Sequence, residues 1–486
     1  MKKLKEILYK VSIEGISGST AIEIGNVSID SRNIVKDDMY VAIKGTQLDG
    51  HQIIDQAIAS GAKSILCETL PENLVAEVVY IQVNNARTAL SWVAANYYDN
   101  PSSQIEPLGV TGTNGKTSVA TLLFDLFTLE SKSAGLISTL AIKYKGISIT
   151  ATHTTPDPLT INKHLKAMVD LGIKYCFMEV SSHGIDQKRI TGLVFKGAVF
   201  TNLTHDHLDY HSTFKAYRDS KKILFDSLNE AAFALINADD KNAKLMVQNC
   251  KAKTHNYALH RYAEFSTQIL ESQFKGMLLK INQKEIWTQM IGEFNAYNIL
   301  AVYAVAQLLG KDEWESLKSI SQLKSIAGRF QTFETSNNVV VVVDYAHTPD
   351  ALKNVLNTIN KIRTQNESLI TVVGCGGNRD QEKRPMMGSI AAQLSSKVLF
   401  TSDNPRDENP DHIIEQMIEG VDPVDFKKTM SVTHRKEAIK VANQLSQPGD
   451  VVLIAGKGHE KYQEVKGQRL PFDDYKIAQE IFSKTP

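Results

Sequence analysis

The segment Gly109-Val110-Thr111-Gly112-Thr113-Asn114-Gly115-Lys116-Thr117 constrains this chain more than any other. The apolar run Ile105–Val110 reads as a strand and enters a glycine-rich turn. Lys-Thr then opens a helix over Ser118–Leu129 whose apolar face is Val119, Leu122, Leu123 and Leu126. Strand, glycine turn and helix N-terminus in that order form a cradle for phosphate. Backbone N–H groups converge without an intruding side chain, and the helix end carries partial positive charge. Lys116 is placed to contact the β- and γ-phosphates and the Thr117 hydroxyl to ligate Mg²⁺. The general pattern GxxxxGK[ST] is missed by one place, because position 110 is Val and the glycine stands at 109.

Apolar, β-branched runs recur beyond this loop, at Tyr175–Val180, Leu193–Phe200, Val339–Val343, Leu369–Val373, Val398–Thr401 and Val451–Ile454. Helical patterns lie between them, among them Pro349–Arg363, Gly388–Leu394 and Asp411–Glu419. Such alternation predicts an α/β protein of parallel sheets covered by helices on both faces. At roughly 150 residues per domain, 486 residues make about three domains. The polar, two-proline stretch Tyr98–Pro107 and the stretch Ser325–Phe330 place the boundaries, giving 1–100, 101–327 and 328–486.

Lys plus Arg and Asp plus Glu both number 54, so the chain lacks the global basic footprint of a nucleic-acid or membrane-surface protein. No apolar run approaches the roughly 20 residues of a membrane-spanning helix. Four scattered cysteines without a CxxC pair fit a reducing compartment. The expectation is a soluble cytoplasmic protein, with neither nucleic acid nor membrane as a partner.

Glu179 ends the apolar run Tyr175-Cys176-Phe177-Met178, at the strand end where α/β proteins place ligand sites. His205-Asp206-His207-Leu208-Asp209-Tyr210-His211 resembles the metal motif of binuclear zinc hydrolases, but Tyr210 puts the last histidine one place too far. That alternative leaves the phosphate loop unexplained. Lys221 and Lys222 read as surface lysines; on a helix only one of two neighbours can point inward. Gly374-Cys375-Gly376-Gly377-Asn378-Arg379-Asp380 follows a strand without the spacing of a dinucleotide fingerprint.

The form TGTNGKT resembles the Mur ligase superfamily of ATP-dependent, amide-bond-forming enzymes. Further segments match in order: Thr154-Thr155-Pro156, Glu179-Val180-Ser181-Ser182-His183-Gly184, Thr201 to Asp209, Gly292 to Asn298, Asp344-Tyr345-Ala346-His347-Thr348-Pro349 and Ala455-Gly456-Lys457-Gly458-His459-Glu460. The resemblance covers nearly the whole chain and is strongest to ligases that add the third residue of the peptidoglycan stem peptide. It implies an N-terminal α/β uridine-nucleotide domain, a central P-loop-type parallel-sheet ATPase and a C-terminal Rossmann-like domain for the incoming amino acid.

It also implies residue roles. ATP is held by Gly112, Thr113, Asn114, Gly115, Lys116, Thr117, Ser118, Asn298, Arg329, Asp344 and His347. The UDP-N-acetylmuramoyl-dipeptide is held by Ile29, Ser31, Thr46, Gln47, Leu48, His153, Thr154, Thr155, Ser181, Gln187 and Arg189. Mg²⁺ is ligated by Thr117, Glu179, His207 and Lys221. Lys221 takes part as a carbamate formed with CO₂, because an ammonium cannot ligate a cation. Lys116, Glu179, His207 and Lys221 form the catalytic set, and His205 and His211 are polar groups of the loop. Arg379, Asp403, Asn404, Pro405, Arg406, Gly456 and Glu460 receive the amino acid. The turn Asp403-Asn404-Pro405-Arg406 has the form found in meso-diaminopimelate-adding members, whereas lysine-adding relatives generally lack its arginine. A lysine-adding ligase, a folate polyglutamate ligase and a P-loop switch or transport NTPase remain the alternatives.

Overall fold

The computed structural model describes residues 1–45, 48–131, 133–206, 208–364 and 366–483. Three large sheets follow one another along the chain, and the apolar runs supply the middle strands of the second and third. The first sheet has five strands in the order Ile13–Ser17, Val79–Val83, Ala62–Cys67, Asp38–Val41 and Val27–Ser28. Only Ile13–Ser17 runs antiparallel to its neighbour. Asn85 caps the helix Ala86–Tyr97 through a bond from the Thr88 N–H, and the helix buries Ala89, Leu90 and Val93.

The second sheet has eleven strands. Its centre is parallel: Ala134–Ile137, Tyr175–Glu179, Glu106–Thr111, Gly197–Phe200, Phe233–Asn237 and Lys253–Ala258. Alternate side chains feed two cores. Phe177 joins Leu108 and Val110 under the helices Lys116–Ser131 and Glu293–Leu308. Cys176 and Met178 join Ile161, Leu165 and Leu224 of the helices Pro158–Asp170 and Phe214–Asp226 on the other face. This sheet is not parallel throughout. Antiparallel hairpins, Ala141–Tyr144 with Ile147–Thr150 and Gly276–Ile281 with Lys284–Thr288, close its edges. Their short connections preclude the crossovers that parallel pairing requires.

The third sheet runs Gln331–Glu334, Val340–Asp344, Val451–Ala455, Leu369–Val373, Lys397–Phe400 and Thr429–Ser431, all parallel except the first. Helices cover both faces, as the near-continuous apolar strands require.

Two elements differ from the sequence expectation. The strand expected over Leu193–Phe200 is only Gly197–Phe200, because Val194 N–H turns aside to donate to Ser102 Oγ at 3.1 Å. The helix expected from Gly388 begins at Lys383; Pro385 lies in its first turn, where no intrahelical N–H is needed. Among the described residues no helix is long and apolar enough to cross a membrane.

Candidate functional site

The phosphate loop is shaped by close approach as much as by φ. Gly112 has φ +152°, and a Cβ there would lie 1.9 Å from Thr201 Oγ1. Gly115 has φ +85°, and its Cβ would lie 2.7 Å from Asn298 Oδ1. Only glycine fits either place. Gly109, the residue that broke the general pattern, lies inside the strand; its Cβ would press on Phe195, Val180 and Leu224 at 3.2–3.3 Å. Its glycine serves packing. Asn202 and Thr201 set the loop from the next strand: Asn114 N–H donates to Asn202 Oδ1 at 2.9 Å, and Thr201 Oγ1 donates to the Asn114 carbonyl at 2.6 Å.

Lys116 folds over this loop, its Nζ donating to the carbonyls of Gly112 (3.0 Å) and Thr113 (2.8 Å). Burial lowers its pKa, against the pull of Glu179. Thr117 Oγ1 donates to Glu179 Oε2 at 3.0 Å, and the Thr139 N–H donates to Oε1 at 2.8 Å. Glu179 is wholly buried at the end of its strand, and burial raises its pKa despite Lys116 nearby. A hydroxyl beside a buried carboxylate is an oxygen donor pair of the kind hard divalent cations take.

Lys221 and Lys222 part as helix geometry requires. Lys221 is buried, with Nζ donating to the Gly112 carbonyl at 2.8 Å and lying 4.6 Å from the Tyr217 ring centre. Its pKa is held well below the ordinary value, first by burial and then by the charge of Lys116. Lys222 pairs with Asp226 at 2.6 Å, one helical turn on.

His207 lies outside the described residues, as do Thr46 and Gln47. The flanking histidines diverge, and among the described residues no three His, Cys, Asp or Glu groups gather as a metal cluster. His205 is exposed and reaches within 3.8 Å of Asp380 in the third sheet's domain. The expectation that His211 is a polar loop group is corrected. It is buried at the end of the helix Leu208–His211, with its ring 5.4 Å from that of Tyr217 and 5.6 Å from that of His183.

A cavity of about 530 Å³ opens beside the loop, lined by Asn114, Gly115, Ser118, Asn298, Arg329 and His347 among others. Asn298 Nδ2 donates to Asn295 Oδ1 at 3.1 Å, which turns its own oxygen toward Gly115. Asp344 accepts the N–H groups of Phe330 (2.6 Å) and Ala346 (2.7 Å); burial nonetheless raises its pKa to about 6. Burial and Lys383 lower that of His347 to about 4. Arg329 Nη2 donates to Thr117 Oγ1 at 3.3 Å, and the guanidinium lies 4.5 Å from the Tyr345 ring centre. The Tyr345 ring packs on that of His459 at 4.8 Å, beside Glu460.

On the other side of Glu179, Thr155 Oγ1 donates to the Glu179 carbonyl (2.9 Å) and lies 3.1 Å from Ser181 Oγ. Thr154 Oγ1 accepts from Thr139 Oγ1 at 3.0 Å. Arg189 bridges the Thr155 carbonyl (2.5 Å) and Gln187 Oε1 (2.7 Å). His153 has its pKa lowered by burial and then by Arg189. Ile29 and Leu48 are exposed, whereas Ser31 is buried with its Oγ 3.4 Å from Gln56 Oε1. Asp30 caps the short helix Ser31–Asn33. The helix Ala86–Tyr97 joins the two groups: Arg87 Nη2 donates to the Lys44 carbonyl at 2.8 Å, and Ser91 Oγ to the Lys188 carbonyl at 2.6 Å.

In the third domain, Asp403, Asn404 and Pro405 are buried at the end of the strand Lys397–Phe400. Arg406 sits at φ +51°, with Nη1 donating to the Gly377 carbonyl (2.7 Å) and Nε 3.3 Å from Glu464 Oε2. Gly456 faces Asp403, and a Cβ there would lie 2.5 Å from Asp403 Oδ2. Burial and Asp403 raise the pKa of Glu460. Arg379 is exposed and forms no hydrogen bond or ion pair among the described residues. Tyr345, Thr139 and Lys457 went unassigned in the sequence although two of them stand inside matched segments; nothing about a lone Tyr or Lys announces such contacts.

Known proteins resemble this chain along nearly its whole length. The Mur ligase middle domain family matches residues 110–306, the Mur ligase glutamate ligase domain residues 328–458, and the Mur ligase family catalytic domain residues 23–98. A protein of Bacteroides thetaiotaomicron named UDP-N-acetylmuramoyl-L-alanyl-D-glutamate–2,6-diaminopimelate ligase is 50% identical over 480 residues, 99% of this chain and 100% of its own. One of the same name from Phocaeicola vulgatus is 49% identical over 481 residues, 99% of each chain. A solved structure of a ligase with that name is 31% identical with a TM-score of 0.69, covering 99% of this chain and 98% of its own. The MurF ligase of Thermotoga maritima, solved with ADP, shares the fold at 18% identity and a TM-score of 0.65, over 94% of this chain and 96% of its own. The chain belongs to the Mur ligase family.

Proposed function

We propose that the chain is the ATP-dependent ligase that joins meso-2,6-diaminopimelate to UDP-N-acetylmuramoyl-L-alanyl-D-glutamate in the cytoplasm, as a monomer of domains 1–100, 101–327 and 328–486. The observation that carries the reading is the contact path from Thr117 through Arg329 and Tyr345 to His459, which links the phosphate loop to the segment that carries Glu460. A carboxylate is a poor electrophile. Transfer of the ATP γ-phosphoryl group to the acceptor carboxylate makes an acyl phosphate; the incoming amine adds to its carbonyl carbon, and the tetrahedral intermediate expels phosphate.

Each step gathers negative charge, which Lys116 and Arg329 are placed to neutralise. Thr117, Glu179, His207 and a carbamylated Lys221 would hold Mg²⁺, which would supply further neutralisation of that charge. The fit of Thr117 and Glu179 and the burial of the Lys221 amine support that set. Asn298, Asp344 and His347 hold the nucleotide. Ile29, Ser31 and the 46–48 loop take the uridine end, and Thr154, Thr155, Ser181, Gln187, Arg189 and His153 take the muramoyl-dipeptide.

The diamino acid sits between Arg379, the 403–406 turn, Gly456 and Glu460. Half-identity with diaminopimelate ligases favours this amino acid over lysine, as does an arginine in the turn. Phosphate release with the UDP-dipeptide and a panel of amino acids tests the reading. ATP-dependent release specific to diaminopimelate supports it, and release with lysine alone overturns it.

A further inference from the structure

Lys457 is wholly buried, and a buried ammonium persists where it is paired. Its Nζ donates to Asn404 Oδ1 at 2.9 Å and to Glu460 Oε2 at 3.0 Å, and lies 3.9 Å from Asp403 Oδ1. Asn404 Nδ2 closes the triangle by donating to the same Glu460 Oε2 at 2.8 Å. The Glu464 N–H adds a third bond to the turn, reaching Asn404 Oδ1 at 2.9 Å. All of these contacts to Glu460 fall on one oxygen. Its Oε1 has no hydrogen bond among the described residues, and neither has Arg406 Nη2.

We propose that Lys457 is a positioning residue for the incoming diamino acid: by tying Asn404 of the 403–406 turn to one oxygen of Glu460, it fixes the turn and leaves the other oxygen for a substrate ammonium. The inference rests on the amino-acid pocket assigned above. A diamino dicarboxylate needs acceptors and cations held at a fixed separation, and Glu460 and Arg406 stand on different strand ends of the sheet. Lys457 joins those ends. Without its charge, Asp403 and Glu460 face each other uncompensated and the Glu460 carboxylate is free to turn.

The test compares Lys457→Met with wild type at saturating ATP and UDP-dipeptide, measuring kcat and KM for diaminopimelate and kcat/KM for lysine. A positioning role raises the diaminopimelate KM at least about tenfold, leaves the acceptor KM unchanged, and narrows the preference over lysine by a similar factor. A merely structural role lowers the melting temperature or kcat and leaves that preference intact, which would overturn the proposal, as would an unchanged KM. Lys457→Gln, which keeps a shorter donor, takes the place of the methionine variant if that does not fold, and the same KM and preference criteria decide. Arg406→Ala serves as the control for the pocket. If it too leaves the diaminopimelate KM unchanged, the pocket assignment has failed; if it raises KM while Lys457→Met does not, the clamp alone has failed.

Discussion

Arg329 Nη2 and Thr117 Oγ1 meet at 3.3 Å, joining the segment that enters the third domain to the first turn of the phosphate-loop helix. Arg329 N–H also donates to the Ile326 carbonyl at 2.9 Å, and the neighbouring Phe330 N–H to Asp344. Arg329 is thus anchored beside the third sheet's Asp344 while its guanidinium reaches the phosphate loop. Arg329→Ala is expected to raise the ATP KM and lower kcat together, by about tenfold or more in kcat/KM, as loss of one charge-assisted contact worth ~1.5–3 kcal/mol. Steady-state kinetics with ATP varied checks this; unchanged kinetics would separate the contact from catalysis.

Lys116→Ala is expected to abolish ATP turnover in a folded protein. The ammonium already lies over the phosphate loop, held by the Gly112 and Thr113 carbonyls. Removing it costs several kcal/mol of barrier, or factors above about a hundred. Phosphate release and circular dichroism read the two outcomes.

Lys221→Ala should lose most activity and Lys222→Ala little, since the first lysine is buried against Gly112 and the second is paired with Asp226 near the surface. A small exogenous carboxylate should restore part of the Lys221→Ala rate. Mass measurement under gentle conditions should show the CO₂ adduct on wild type. No adduct on the wild type, together with an active Lys221→Ala enzyme, removes the carbamate.

Arg406→Ala should raise the diaminopimelate KM at least roughly tenfold, as truncating one member of a buried charged pair costs about 2–5 kcal/mol. A guanidinium meets a carboxylate through two parallel bonds, so geometry and charge both select the distal carboxylate that lysine lacks. Acceptor KM should not move. Equal use of lysine by wild type would contradict the assignment.

Stability should fall on acidification between about pH 6.5 and pH 4. His347 is held neutral by burial and by Lys383, so its pKa is about 4 when folded against 6.5 when unfolded. In that window the unfolded chain binds the extra proton, and stability rises with pH. Asp344, raised from 3.8 to about 6, acts in the opposite sense, since there the folded chain holds the proton. His459, lowered to about 3 by burial and then by Arg329, adds to the His347 effect. Melting temperature against pH for wild type and His347→Gln checks this: the variant should show a flatter acid limb. An identical limb would dissociate His347 from it.

The residue order was enough to place the phosphate cradle, because a strand, two close-packed glycines and a helix start are local features whose spacing is written in nine consecutive residues. It was enough, too, for alternating strands and helices, since Tyr175–Glu179 and Leu369–Val373 are apolar on both faces and only a covered sheet accepts such runs. Lys221 shows where that legibility ends. Two adjacent lysines are equivalent in sequence, and the choice between them depends on which side of the helix Phe214–Asp226 meets the loop at Gly112, a contact 109 residues away in the chain. His211 was misread for the same reason: its neighbours His183 and Tyr217 come from other elements. Lys457, Asn404 and Glu460 form their triangle from two strand ends 53 residues apart. Long-range packing decides such partnerships, because a buried charge keeps its place only where distant parts of the chain bring it a counter-charge or a carbonyl.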